Sequence, residues 1–396
     1  MNENNICKIV DTGRCVGCLA CIERCALHAL SKSISKEGFY QPEVNKSICT
    51  LCGQCVRVCP ICRKQKKNQT LEKAYLFQNL NCKVREESTS GGFFNEVATL
   101  IMNRGGVIYG GAFDNFWRVT HIRIDDKKNI SSLWGSKYVQ SDMTGIYTNI
   151  KKDLEMGIFV CFSGTPCQIA ALLTFLGQKY EKLLLVEVVC HGVGSPILWE
   201  QYIDNIYETY KEPIEKISFR SKKFGYAAAT MEIRMKNRPF CYGKNIEAFK
   251  MLFFKGYNLR PSCFTCEFKG KHRVADLSIF DCWHMNQYDK SKDDDKGTTG
   301  ILVNSAIGNE IVREIAKMHY IIEVDREKLI STDGDMIYRY PTKPKDIVKY
   351  WNDLFNGKKI IELLDVYVPY NKKKQFKVIM RMIIGKMGIL KNILRR

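Results

Sequence analysis

Eighteen of the 396 residues are cysteine, and ten of these fall within the first 62. Cys15, Cys18, Cys21 and Cys25 follow the spacing C-x-x-C-x-x-C-x-x-x-C, and Cys49, Cys52, Cys55 and Cys59 repeat it with Pro60 directly behind. Thiolates so spaced suit a [4Fe–4S] cubane, which takes three sulfurs from one tight loop and a fourth from elsewhere. In the paired arrangement the last cysteine of each run serves the other cluster. One cluster is therefore expected on Cys15, Cys18, Cys21 and Cys59, and the second on Cys49, Cys52, Cys55 and Cys25. Structural zinc, the alternative, usually draws on two separated C-x-x-C pairs. Residues 1–7 are polar, without a basic stretch leading into an apolar one, so the expected compartment is cytoplasmic and the thiols reduced.

Four further cysteines stand where ligands converge. Cys167 follows a strand-like run in Gly164-Thr165-Pro166-Cys167-Gln168, Cys190 closes another in Cys190-His191-Gly192, and Cys263 and Cys266 form a C-x-x-C. A third [4Fe–4S] cluster is expected on these four, with zinc or unligated buried thiols as the alternatives. Cys7, Cys62, Cys82, Cys161, Cys241 and Cys282 are read as non-ligands. Ser90-Gly91-Gly92, just before a helical run, offers a second kind of chemistry. Glycines let the backbone approach a phosphate and a helix start presents free amides, although the same residues also make an ordinary helix cap.

The elements that must position these groups follow from periodicity. Residues 1–66 read as the two-cluster domain, and a basic polar stretch, 63–69, reads as a linker. From about Ala74 to residue 340 the pattern turns α/β, and 341–396 reads as a basic helical C-terminal extension. Strand-like runs lie at Val107–Phe113, 118–124, 158–162, 183–189, 214–219, Thr230–Met235, 275–280 and 301–303. Helical runs lie between several of them, beginning near Phe93 and at 168–176, 197–210 and 309–318, which predicts a mixed β-sheet covered by helices. The uncharged stretch 157–178 is long enough to span a membrane but is broken by Gly164-Thr165-Pro166.

Residues 8–62 resemble the bacterial two-cluster ferredoxins, departing only at Ala26, where proline is usual, and at the extra thiol Cys62. The body resembles the beta subunits of coenzyme F420-reducing hydrogenases and dehydrogenases that carry a ferredoxin domain in front. Seven segments carry this resemblance in order: Ser90-Gly91-Gly92, Gly135-Ser136-Lys137-Tyr138, Gly164-Thr165-Pro166-Cys167-Gln168, Cys190-His191-Gly192, Cys263-Phe264-Thr265-Cys266, Ala275-Asp276-Leu277-Ser278 and Asp281-Cys282-Trp283. Phe280 departs from the glycine that often precedes that aspartate. The resemblance implies a flavoprotein that binds FAD beside an iron–sulfur cluster. Ser90, Gly91 and Gly92 would then contact the FAD phosphates, and Gly135, Ser136, Lys137 and Tyr138 would lie against the flavin or its ribityl chain, with Gly164 and Thr165 nearby. Lys137 would be the catalytic residue, stabilising the reduced flavin, unless it is simply a lysine beside a structural glycine.

The expected activity is an oxidoreductase that exchanges electrons between a ferredoxin or other redox partner and FAD, with hydride exchange to an F420-like or other small-molecule substrate. A non-catalytic electron-relay subunit is the alternative. The net charge of +19 suggests an anionic partner, and nine of the basic residues, with no acid, lie in 371–396. That tail would form a helix with an apolar face (Phe376, Ile379, Ile383, Leu390) and a basic one. It reads either as a docking helix for a partner or the inner membrane surface, or as a terminal helix packed on the body. Nucleic acid is not an expected partner, because the basic residues are not interleaved with aromatics and no nucleic-acid motif appears.

Overall fold

The computed structural model describes residues 4–63, 73–271 and 273–369. Its first part is built on the two cysteine loops. In the first loop Gly17 (φ 66°) and Leu19 (φ 64°) are left-handed, and in the second Leu51 (φ 57°) and Gly53 (φ 73°) hold the matching positions. The duplicated spacing is therefore also a duplicated backbone, in which two leucines accept a conformation that costs a branched residue about 1–3 kcal/mol. Each loop leads into a single helical turn, Ala20–Glu23 and Gln54–Arg57. Between the loops runs an antiparallel hairpin, β1 (Leu30–Ile34) and β2 (Tyr40–Val44), in register from Leu30↔Val44 to Ile34↔Tyr40.

The body holds eleven further strands: β3 (Lys73–Gln78), β4 (Val107–Phe113), β5 (Val119–Ile124), β6 (Val160–Gly164), β7 (Leu183–Val188), β8 (Ile214–Ser221), β9 (Thr230–Met235), β10 (Arg238–Cys241), β11 (Leu277–Cys282), β12 (Thr298–Val303) and β13 (Tyr320–Val324). Eight form one mixed sheet in the order β13-β3-β12-β11-β7-β6-β4-β5. β4, β6, β7 and β11 run parallel, and antiparallel strands flank them on both sides. Parallel strands are covered on both faces, which is why 160–163 and 183–187 are buried without alternation. Ile108, Cys161, Leu184 and Val186 face the helices Phe93–Asn103 and Ala306–Ile315. Their neighbours Val107, Tyr109, Val160, Phe162, Leu183 and Leu185 face Ile146–Glu155 and Pro166–Leu176.

The expectation of one sheet is too simple. β8, β9 and β10 form a separate antiparallel sheet. Its inward residues Ile217, Phe219, Met231, Ile233 and Met235 pack on the helices Pro196–Tyr210 and Lys244–Phe254. The helices Ile347–Phe355 and Ile360–Tyr367 pack into that same core through Tyr350, Trp351, Leu363 and Leu364, so this part of the expected extension is built into the body. The tail 371–396 lies outside the described residues. Among the described residues no helix is long and apolar enough to cross a membrane.

Candidate iron–sulfur centres

Cys15, Cys18, Cys21 and Cys59 line one cavity together with Ile6, Ile9, Val16, Leu19, Pro42 and Ile61. The crossed set is thus assembled by the fold, since Cys59 reaches over from the second loop. The second loop supplies Cys49, Cys52 and Cys55. Cys55 is buried and packs in one apolar cluster with Cys21, Cys59 and the partly buried Cys25. Backbone amides point at two of the sulfurs: Gly17 N–H donates to Cys15 Sγ at 3.4 Å and Ala29 N–H to Cys25 Sγ at 3.3 Å.

A second cavity is lined by Cys167, Cys190, Cys263 and Cys266, brought together from three separate segments. Cys167 stands in the first turn of the helix that follows β6, and Cys190 lies just past the end of β7. The carboxyl ends of neighbouring parallel strands are where such sheets place ligands. Thr165 fixes the start of the first helix: its amide donates to Gln168 Oε1 at 2.9 Å, and its hydroxyl is 3.2 Å from Cys167 Sγ. Cys263 and Cys266 come from the short turn Pro261–Thr265 and the residue after it. Val16 and Cys18 border both cavities, so the two share a wall.

Burial pushes the thiols up: Cys167 to about 12, Cys263 to about 11, and Cys190 well above its usual range. In the first cavity burial raises Cys59 to about 12, and Cys18 and Cys21 well above the ordinary value. Repulsion between neighbouring sulfurs adds to each rise. Four thiolates held so close together in a dry site are favourable only against a bound cationic core, and its binding releases the protons. The donor chemistry therefore fits a polynuclear iron–sulfur group. Among the described residues no three His, Cys, Asp or Glu side chains close on the geometry of a single metal ion; the sulfurs surround cavities instead.

Cations also line the second cavity. Lys269 Nζ donates to Cys190 O at 2.6 Å and Met336 O at 2.5 Å; burial lowers its pKa, and the neighbouring Cys190 and Cys266 sulfurs oppose that. Arg273 pairs with the fully buried Glu187 and donates to Phe268 O (3.0 Å) and Gly270 O (3.2 Å), bracing the turn behind Cys266. His191 borders the cavity and packs at a tilt on Phe253 and Phe254, and the Phe253 ring stacks on Tyr138 at 4.9 Å.

The segments expected to hold FAD meet only in part. Thr89 Oγ1 accepts from Ser136 N–H at 2.7 Å, joining the Ser90 and Ser136 loops. Ser90 Oγ lies 2.8 Å from Thr299 Oγ1, and Gly91 N–H donates to that same oxygen at 2.9 Å. A Cβ on Gly91 would stand 2.2 Å from Phe77 O, so this glycine is explained by close packing on β3. Gly92 caps the helix in the left-handed region, and Glu96 already sits in its first turn. The Ser90 hydroxyl and the Gly91 amide thus both have partners within the protein. Lys137 Nζ donates to the carbonyls of Ser132 (3.2 Å), Trp134 (3.0 Å) and Gly135 (3.3 Å). Burial lowers its pKa to about 7, while those three acceptors favour the charged form. Its ammonium closes its own loop. Tyr138 accepts from Arg220 Nη1 at 3.2 Å, and Arg220 pairs with Asp281 at 2.9 Å. Sequence reasoning missed Arg260 and Lys269 at the second cavity, and Arg220 between Tyr138 and Asp281, because only the fold brings them there.

Residues 14–61 match the family model described as 4Fe-4S dicluster domain, and residues 159–328 match that of the C-terminal part of the coenzyme F420 hydrogenase/dehydrogenase beta subunit. The second match takes in five of the seven resemblance segments; Ser90–Gly92 and Gly135–Tyr138 precede it. No curated protein matches the chain. Among solved structures, a chain of the F420-reducing [NiFe] hydrogenase complex from Methanosarcina barkeri is similar at 13% identity with a TM-score of 0.46, over 78% of this chain and 95% of that one. The chain is thus similar to a 4Fe-4S dicluster domain near its start and, behind it, to the C-terminal part of the coenzyme F420 hydrogenase/dehydrogenase beta subunits.

Proposed function

We propose that the protein is an iron–sulfur oxidoreductase that takes single electrons from a ferredoxin-like or other redox partner and delivers them to a two-electron carrier in the body. The observation that carries this reading is the pair of four-cysteine cavities sharing the wall at Val16 and Cys18. Cys15, Cys18, Cys21 and Cys59 would hold one [4Fe–4S] cluster, Cys49, Cys52, Cys55 and Cys25 a second, and Cys167, Cys190, Cys263 and Cys266 a third. Such clusters, when bound, supply one-electron transfer. The chain's own residues exclude water from the cavities, donate amides to the sulfurs and set cations against them.

The body's carrier is proposed to be FAD, exchanging hydride with an F420-like or other small substrate. Support comes from the resemblance and from the junction of Thr89 with Ser136 near Tyr138. A second reading, a relay subunit without a substrate site, is favoured by Gly91 and Lys137, whose donors already serve the protein's own oxygens. Anaerobic purification with iron and flavin quantification tests both readings. Three clusters give about 12 iron atoms per chain, and Cys167→Ser should lower this to about 8. A wild-type chain with about 8 iron atoms removes the third cluster. Stoichiometric FAD supports the oxidoreductase, and iron without flavin supports the relay.

A further inference from the structure

Arg260 lines the cavity of Cys167, Cys190, Cys263 and Cys266, reaches the backbone of Cys15 in the other cavity, and is only 4% exposed. Its Nε donates to Cys15 O at 2.7 Å, and its Nη1 to Tyr40 O at 3.0 Å and Gln140 Oε1 at 3.2 Å. The guanidinium also lies 5.4 Å from the centre of the Phe39 ring. Every acceptor it has among the described residues is a neutral oxygen. Arginine keeps its charge in any protein environment, and burying that charge against neutral groups alone is unfavourable unless an anion lies close. The groups around it that become anionic are the cysteines: Cys15 and Cys18 on one side, Cys167, Cys190, Cys263 and Cys266 on the other.

A cubane held by four thiolates carries net negative charge, and reduction by one electron increases it. A fixed cation therefore stabilises the reduced state more than the oxidised one, and net charge and hydrogen bonding are among the features that set such potentials. We infer that Arg260 poises the two clusters flanking it, raising the reduction potential of both, and that its bond to Cys15 O makes it the positioning residue of their shared wall. This inference rests on the cluster assignment above. Gln140 completes the arrangement: its Nε2 donates to Gly17 O at 3.0 Å and Tyr40 O at 3.2 Å, and its Oε1 accepts from Tyr40 N–H at 2.9 Å. Ser262 Oγ donates to the same Cys15 carbonyl at 3.1 Å without bringing a charge.

The test is a dithionite titration of the full chain, isolated anaerobically and followed by electron paramagnetic resonance, with signals assigned through Cys167→Ser and Cys49→Ser variants. Arg260→Met should move the midpoints of the two flanking clusters to more negative potential. The cluster of Cys49, whose ligands border neither cavity, should stay in place as an internal reference. Arg260→Lys, which keeps the charge, and Ser262→Ala, which removes only a neutral hydrogen bond, should both move the midpoints less. Unchanged midpoints in Arg260→Met, with iron retained, overturn the inference. Should that variant fail to take up iron, Gln140→Glu keeps the guanidinium and pairs it with a carboxylate; the same negative shift is then expected, and its absence overturns the inference equally. A wild-type chain that holds no iron defeats the cluster assignment instead.

Discussion

Gly17 shows how tightly single residues are held at the wall between the cavities. A Cβ there would lie 2.2 Å from Gln140 Nε2, 2.5 Å from Arg260 Nη1 and 2.5 Å from Tyr40 O, at φ 66°. Gly17→Ala should therefore cost about 2–5 kcal/mol from strain and overpacking together, read as a lowered denaturation midpoint under anaerobic conditions. An unchanged midpoint would mean that the wall yields freely. His121 gives a pH signature. It is buried, with Nδ1 2.7 Å from Ser141 Oγ and Nε2 3.0 Å from Ser163 O, and burial lowers its pKa from 6.5 to about 4. Between those values the unfolded chain binds a proton that the folded one does not. Stability is thus full above about pH 6.5 and falls as pH drops toward 4, by up to about 3 kcal/mol. His121→Gln should flatten that slope in denaturant titrations across the range. At this scale the cysteines were legible because metal ligation constrains spacing along the chain. Arg260 and Lys269 were not, since nothing local distinguishes them from surface cations. Gly91 is ambiguous in a physical sense: a glycine required by close packing on Phe77 O looks, in sequence, like one required by a phosphate.

Among the elements, β7 and β11 are joined by a buried polar contact as well as by their parallel pairing. Glu187 on β7 is 1% exposed and accepts from Ser278 Oγ on β11 at 2.6 Å, and Arg273 supplies its countercharge. Arg273→Met would leave that carboxylate without its cation and should cost about 3–5 kcal/mol, whereas removing both charges in Arg273→Met/Glu187→Gln should recover much of the loss. A double-mutant cycle on the unfolding free energy checks this, and additive losses would refute the coupling. The central strands were readable as continuous apolar runs. Others were not: the hairpin of β1 and β2 carries Ser31, Lys32, Ser33 and Glu43, and β13 pairs only at the sheet margin beside β3. β8 and β9 look no different in sequence from strands of the main sheet; their separation depends on which helices cover them.

Over the whole molecule the cysteine-rich segment and the body share their interiors. Phe39, just before β2, is fully buried in the core of the second sheet and meets Trp351 edge-on at 6.4 Å. Ala20 enters the core between the main sheet and its helices, and Thr174 Oγ1 donates to Val58 O at 2.7 Å. Phe39→Ala should cost about 3–5 kcal/mol and lower the transition followed by tryptophan fluorescence together with the one followed by cluster absorbance. If the two midpoints separate, the segments are energetically independent. Composition and motif order placed these segments in sequence, but not their fusion, because Phe39 carries no mark of the distant surface it meets. Val16 and Cys18 line both cavities, so one short strip of backbone is common to the two sites. A substitution that bends that strip is felt on both of its sides, so neither cavity is reshaped without disturbing the other.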